Sequence, residues 1–251
     1  MKERRAAIRK YIETRGEVTI PELATAFSKW SEMTLRRDLA SLAEDQLVIL
    51  TRGGARAFPV RYGLSEDIYT EREMRNNPAK SEIAQKALAF VEAGKGIFLD
   101  SGTTVMALAK NLPDYNMVVV TAAPNVAMEI VMRKENPSVV QLGGILSRRS
   151  IAVADPRVDQ QLSSLNIDTA FLGASGFDEH AGFSVGSQSE GMLKSSVAKR
   201  ARRVVMLLDS SKIGTMLPFS FAQLADIDLL ITDSDFPSEL KKKFENLVKI
   251  I

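Results

Sequence analysis

The sequence predicts two units of different class. A small α+β unit of three helices and a basic hairpin comes first, and a larger α/β unit follows, its mostly parallel sheet covered by helices on both faces. Three observations predict this. Apolar residues recur at helical spacing over residues 1–60, and six short continuous apolar runs alternate with helical stretches after residue 80. The basic excess is also uneven: 12 Lys and Arg stand against 8 Asp and Glu over residues 1–61, and 21 against 23 afterwards. A compact basic module beside a near-neutral one suggests a polyanionic partner for the first. The expected division is 1–60, a connecting segment over 61–79, and 80–251.

Composition excludes several other classes. The chain has 251 residues, 45% hydrophobic and 25% charged, as ordinary globular proteins do. It has no cysteine, which removes disulfides, cysteine nucleophiles and thiolate metal sites, and the single histidine is His180. No apolar run approaches the roughly 18–20 residues of a membrane span. The charged start, Met1-Lys2-Glu3-Arg4-Arg5, has no apolar segment behind it, so no secretion signal is expected. The expectation is a cytoplasmic protein without membrane contact, metal or cofactor.

In the first unit, Ala7, Ile8, Tyr11 and Ile12 form a helical stripe that stops at Gly16. Val18-Thr19-Ile20 reads as a short extended piece. Thr19 and Glu22 have the form of a capping box, with Pro21 in the first turn of a helix over Leu23, Ala24 and Phe27. Ser31, after a break at Ser28-Lys29-Trp30, can cap a third helix. Its buried stripe is Leu35, Leu39 and Leu42. Met33, Arg37, Ala40 and Ser41 then point outward, with Thr34 and Arg36 on the flanks. A small or basic outward face lets a helix backbone approach DNA while an arginine reaches bases or phosphates. The apolar runs 47–50 and 57–60 flank Thr51-Arg52-Gly53-Gly54-Ala55-Arg56, a hairpin with a basic tip that completes a winged helix-turn-helix.

Met33-Thr34-Leu35-Arg36-Arg37-Asp38-Leu39 followed by Arg52-Gly53-Gly54-Ala55 closely resembles the signature of DeoR-family transcriptional regulators. Trp30 stands where that family usually has Val, and Leu50 and Arg52 replace the usual wing Arg and His. The resemblance implies binding to double-stranded operator DNA. The candidate contacts are Ser31, Met33, Thr34, Arg36, Arg37, Ser41, Arg52, Gly53 and Gly54.

Residues 61–79 mix charges (Glu66, Asp67, Glu71, Arg72, Glu73, Arg75) with Tyr62 and the turn-prone Asn76-Asn77-Pro78, as an exposed, partly helical connection would. A helix over Ile83, Ala84, Ala87, Leu88 and Val91 ends at Gly94. The strand-like runs are 97–99, 118–120, 139–142, 170–172, 204–208 and 229–231. Polar residues and glycines follow almost every run, where open α/β sheets bind ligands. Asp100-Ser101-Gly102-Thr103-Thr104 is the most informative of these loops. Gly102 allows close backbone approach, and the hydroxyls and N–H groups at a helix N-terminus favour a phosphate. Lys212, after the fifth run, could supply a matching cation.

The DeoR resemblance extends through this half: residues 100–104, 143–144, 173–176 and 209–214 match the family's Asp-Ser-Gly-Thr-Thr, Gly-Gly, Gly-Ala-x-Gly and Asp-Ser-Ser-Lys-x-Gly. The family's sensor is similar to ribose-5-phosphate isomerase and glucosamine-6-phosphate deaminase, and it senses phosphorylated sugars. The resemblance thus implies a regulator of a carbohydrate operon, a repressor or else an activator. One DNA-binding unit offers too few contacts for operator specificity, so a homo-oligomer, a dimer or tetramer reading repeated half-sites, is expected. Candidate effector residues are Asp100, Ser101, Gly102, Thr103, Thr104, Thr121, Gly143, Gly144, Gly173, Lys194 and Lys212. Thr121-Ala122 stands where Thr-Asn is common, and Asp155-Pro156 where Gly-Pro is.

The rival reading is a sugar-phosphate isomerase or deaminase, with Glu190 or Asp178 as base and His180 opening the ring. Its loop would read Gly-Ala-Asp-Glu; here it is Gly173-Ala174-Ser175-Gly176, without the acidic pair, so no enzyme is expected. Asp100-Ser101-Gly102-Thr103 matches an aspartic-protease string, but that chemistry needs two such carboxylates on β-rich scaffolds. Asp226, Asp228, Asp233 and Asp235 fit no calcium loop, and Lys241-Lys242-Lys243 reads as the solvated face of a terminal helix.

Overall fold

A computed structural model describes residues 2–44, 48–57 and 69–251. They fall into two compact units, Met1–Tyr62 and Gly63–Ile251. Leu47, residues 58–60, and Tyr62, Glu66 and Asp67 of the expected connection lie outside the described residues.

The first unit runs α1 (Lys2–Arg15), β1 (Glu17–Thr19), α2 (Ile20–Ala26), α3 (Glu32–Glu44), β2 (Val48–Thr51) and β3 (Gly54–Ala57). Ile8, Ile12, Leu23, Leu35, Leu39 and Leu42 close its core with Val18, Val48 and Ala55 from the strands. The capping box forms as expected: Glu22 N donates to Thr19 Oγ1 at 3.4 Å, and Thr19 N donates to Glu22 Oε2 at 2.7 Å. The hairpin differs from expectation. Its second strand begins at Gly54 rather than Ala57, and only Arg52 and Gly53 form the tip. The reason is a third strand: β3 pairs with β1 as well as β2, setting Gly54 against Thr19. A Cβ on Gly54 would lie 2.0 Å from the Val18 carbonyl oxygen, so this close crossing requires glycine.

The second unit opens with α4 (Tyr69–Met74) and α5 (Asn77–Ala87), which occupy part of the segment expected as a connection. Then follow β4 (Gly96–Leu99), α6 (Thr103–Lys110), β5 (Val118–Thr121), α7 (Pro124–Arg133) and β6 (Ser138–Gln141). The hairpin β7 (Ile145–Ser147) and β8 (Ala152–Ala154) leads to α8 (Val158–Leu162), β9 (Thr169–Gly173), β10 (Gly176–Asp178) and β11 (Gly182–Val185). The chain ends with α9 (Gln188–Arg200), β12 (Arg203–Leu207), β13 (Phe219–Ala222), β14 (Leu229–Ile231), α10 (Ser238–Phe244) and β15 (Lys249–Ile250).

Seven strands form one all-parallel sheet in the order β15-β14-β12-β9-β4-β5-β6. Strands are added outward on one side from β4 to β6, and then on the other from β9 to β15. The direction of winding therefore reverses between β4 and β9. Ligands of open α/β sheets sit at such a reversal, beyond the carboxyl ends of the strands.

Successive strand residues face opposite layers. Ile97, Leu99, Val119, Phe171, Val205 and Leu207 pack with α5, α6 and α7. Phe98, Val120, Ala170, Leu172, Val204 and Met206 pack with α8, α9, α10 and the small antiparallel sheet β10-β11-β13. Sequence reading placed the last strand at 229–231; β15 pairs beyond it and becomes the sheet's edge.

Candidate functional site

In the first unit, α3 carries the expected reading face. Ser31 Oγ accepts from Thr34 N at 3.3 Å, which caps the helix. Met33 is 67% exposed, and Arg36 and Arg37 are also exposed. Arg52 and Gly53 project at the hairpin tip, while Gly54 is buried under β1. Ser41 has a different setting: its hydroxyl accepts from Arg5 Nη1 at 2.6 Å, which ties α3 to α1.

Sequence reasoning missed Asp38. It lies on the buried stripe of α3 and is 2% exposed. Arg4 Nε donates to its Oδ2 at 2.5 Å, and Arg5 Nε to its Oδ1 at 3.1 Å. Burial pushes the Asp38 carboxyl up, but the two guanidiniums outweigh it and hold it below the usual carboxylate range. The signal was in the spacing: an acidic residue three positions after Leu35 faces the core and needs a cation.

In the second unit, the reversal point is built by the loops after β4 and β9. Asp100 clamps them together, its Oδ1 accepting from Ser101 N at 2.8 Å and its Oδ2 from Gly173 N at 2.9 Å. Lys194 of α9 rises beneath this clamp. Its Nζ bonds Asp100, donates to the Gly173 carbonyl at 3.0 Å, and pairs with Glu190 at 3.2 Å. Asp100 and Lys194 are 1% and 2% exposed, so their charges are directed at each other and hold the loop from below.

Above them α6 begins at Gly102, whose φ of 124° suits glycine, and no side chain caps this helix start. Ser101 is buried, and Thr103 and Thr104 are half-buried around the first turn. An uncapped helix start ringed by hydroxyls has the chemistry of an anion cradle. Thr121 is buried and its Oγ1 accepts from Ala123 N at 3.1 Å, which shapes the neighbouring loop after β5.

The expected residues do not all converge. Gly143 and Gly144 lie at the end of the outermost strand β6, two strands from β4. There they line a separate cleft of about 470 Å³ with Asp155, Arg157, Gln160 and Gln161. Gln161 holds Gly143 through both its carbonyl and its N–H, at 3.3 and 2.8 Å. Lys212 stands half-buried on the turn after β12, on the other side of β9.

Lys80, which the sequence reading passed over, lies near that turn. It is 5% exposed and its ammonium caps α4 through the carbonyls of Arg72 and Arg75. Burial is the main cause that lowers its pKa to about 8; Asp209 opposes the shift, and Lys212 and Arg72 add to it. Glu190, a candidate base in the enzyme reading, is buried against Lys194, and His180 is an exposed loop residue whose N–H donates to Asp178 at 2.9 Å.

A winged helix-turn-helix joined to a doubly wound sheet with an anion-ready edge defines a DNA-binding regulator that carries its own sensor. Residues 4–59 match the DeoR-like helix-turn-helix domain, and residues 75–234 match the DeoR C terminal sensor domain. The chain belongs to the DeoR family of transcriptional regulators.

The uncharacterised HTH-type transcriptional regulator YulB of Bacillus subtilis is 34% identical, covering 99% of this chain and 95% of its own. The transcriptional repressor GlcR of the same organism is 33% identical over 92% and 88%. The lactose phosphotransferase system repressor of Staphylococcus epidermidis is 31% identical over 97% and 96%. Among solved structures, ribose 5-phosphate isomerase A from Methanocaldococcus jannaschii covers 55% of each chain, at 21% identity and a TM-score of 0.41. Family membership places the protein among regulators rather than enzymes. No helix among the described residues is long and apolar enough to cross a membrane.

Proposed function

We propose that the protein is a cytoplasmic repressor of a carbohydrate operon that leaves its operator when a phosphorylated sugar binds the sensor. The observation that carries this is the uncapped start of α6 at the point where the sheet reverses. The N–H groups of its first turn, with Ser101, Thr103 and Thr104, take the phosphate. Lys212 supplies a positive charge, and Lys80 raises the potential of the same edge. Asp100, Gly173 and Lys194 keep the cradle in shape.

On the DNA side, Met33, Thr34, Arg36 and Arg37 enter the groove, and Arg52 and Gly53 meet the backbone. One such unit offers few base contacts, so a dimer or tetramer reads repeated half-sites. The names of the relatives, a transcriptional repressor and a lactose phosphotransferase system repressor among them, support the sign of regulation and the operon class.

Operator release against sugar-phosphate concentration tests both halves. Arg37→Ala should lose about 1–3 kcal/mol of operator affinity at fixed salt. Lys212→Ala should bind operator like the wild type but need much more sugar phosphate for release, since effector and operator affect each other reciprocally. Superimposable release curves for wild type and Lys212→Ala would remove Lys212 from the site.

A further inference from the structure

The two edges of the large sheet are finished differently. β15 closes one side with only two residues, one of them the exposed Lys249. Short strands and lysines are how proteins keep an edge from pairing. β6 forms the other edge, and residues 138–147, Ser-Val-Val-Gln-Leu-Gly-Gly-Ile-Leu-Ser, carry no charge. Ser138 N and Leu142 N donate inward, to the carbonyls of Met117 and Thr121 at 2.9 Å each. Alternation then turns the N–H and C=O of Val139 and Gln141 outward, where no strand among the described residues pairs with them.

The helix over this edge is apolar on the same side. A right-handed β5-α7-β6 crossover, at about 100° per residue, turns Pro124, Ala127, Met128 and Val131 toward the free edge. It turns Asn125, Glu129 and Arg133 toward α6. The contacts agree: Glu129 and Arg133 pair with each other at 2.9 Å, and Asn125 meets Tyr69 of α4, which is tied to α6 through Glu73 and Lys110. Met128, Val131 and Met132, with Ile145 and Leu146 just past β6, are all more than half exposed. Clustered exposure of this kind marks an interaction surface.

The geometry selects a second copy of the chain as the occupant. Antiparallel pairing of two β6 strands about a two-fold axis through Val140 sets Val139 against Gln141 of the second copy, and the reverse. Every outward backbone group of the strand is then bonded. Val119 and Val139 pack under α7, so this helix covers β5 and β6. In the pair, the two α7 helices run antiparallel two strand spacings apart, about 10 Å, which is the distance at which helices pack. Met128 and Val131 face their counterparts there, and the charged flank stays turned away. A neutral edge has nothing to draw nucleic acid or a charged segment.

We infer that the protein dimerises through β6 and α7, which joins the sheets of two sensor units edge to edge. This rests on the proposal that operator recognition takes more than one DNA-binding unit, and it names the surface that joins them.

The chain has no cysteine, so a single introduced one reports the contact without background. In the full-length protein, Val140→Cys should give a disulfide-linked dimer under oxidised glutathione, because the two copies of this residue face each other at the axis. Gln141→Cys, displaced from the axis, should stay unlinked. By light scattering on dilution, Val131→Glu should weaken self-association about tenfold or more, and mixing it with Val131→Lys should restore it. If the wild type self-associates while Val140→Cys stays unlinked and Val131→Glu associates normally, another surface joins the copies. The oligomer reading then stands and this interface falls. Equal linking of Val140→Cys and Gln141→Cys would show random collision and overturn it too. A wild type that is monomeric at every concentration and on DNA overturns both, and leaves the edge to a different protein.

Discussion

Each unit buries a carboxylate against cations, but the two clusters are completed differently. In the DNA-binding unit, both oxygens of Asp38 are taken by guanidiniums that reach the surface, Arg4 and Arg5 being 22% and 30% exposed at their side chains. At the sheet reversal, one fully buried ammonium serves two carboxylates, and Glu190 Oε2 is left without a partner. A satisfied cluster at the edge of a core fixes helices. An over-subscribed one beneath a loop fixes that loop's geometry while keeping the region polar, and its integrity depends on a single atom, Lys194 Nζ.

The comparison breaks first at Lys194. Lys194→Met would leave Asp100 and Glu190 buried together without their cation, and should cost about 3–5 kcal/mol in urea unfolding. Adding Glu190→Gln should recover part of that loss, because it removes one of the two stranded charges. A loss smaller than that of Asp38→Asn would reverse the ranking.

Asp38→Asn should cost about 2 kcal/mol, since the freed guanidiniums can turn to water. Its pH dependence has a definite sign. The folded carboxyl titrates below its ordinary value, so the stabilisation is fully present above about pH 4 and is lost as the pH falls through the lower, folded pKa. Asp38→Asn should flatten the acid limb of the stability curve; an unchanged limb would assign that dependence to other carboxylates.

Lys80 gives the smallest effect and sharpens the contrast, because it is a buried cation held by carbonyls. Its folded pKa of about 8 lies below the ordinary 10.5. Between those values the unfolded chain binds more protons, so stability should rise with pH across that window. Lys80→Met should abolish the rise. Tyr69 acts with the opposite sign at higher pH, since its raised pKa lowers stability as pH climbs from 10 toward 12. A rise that persisted in Lys80→Met would assign it to another lysine.

How much of this was legible in the sequence depended on distance along the chain. Local periodicity located six of the seven strands of the large sheet, from Ile97 to Ile231, because strands buried on both faces read as unbroken apolar runs. The capping box at Thr19 and the glycine turn that starts α6 at Gly102 were equally local. The five antiparallel strands β7, β8, β10, β11 and β13 carry short, mixed patterns and were not found. The wing strand was misplaced because its register depends on β1, nearly forty residues earlier.

The same limit governed the sites. That Ser41 bonds Arg5 across 36 positions, or that Lys194 bonds Asp100 across 94, cannot be read from spacing. Asp38 and Lys80 could have been suspected, since each is a charge on an apolar helix face.

The parallel sheet has one more consequence, for the order in which a chain emerging from the ribosome acquires its parts. Every strand pair of the first unit lies within residues 17–57, so that fold needs only the first stretch of the chain. The sensor cradle needs β9 to pair with β4 about seventy residues back, and α5 is tied to the far half by the bonds Asn76–Asp209 and Lys86–Thr232, 133 and 146 positions apart. Such long closures are slow and come last. During synthesis the helix-turn-helix unit is therefore complete well before the sensor unit.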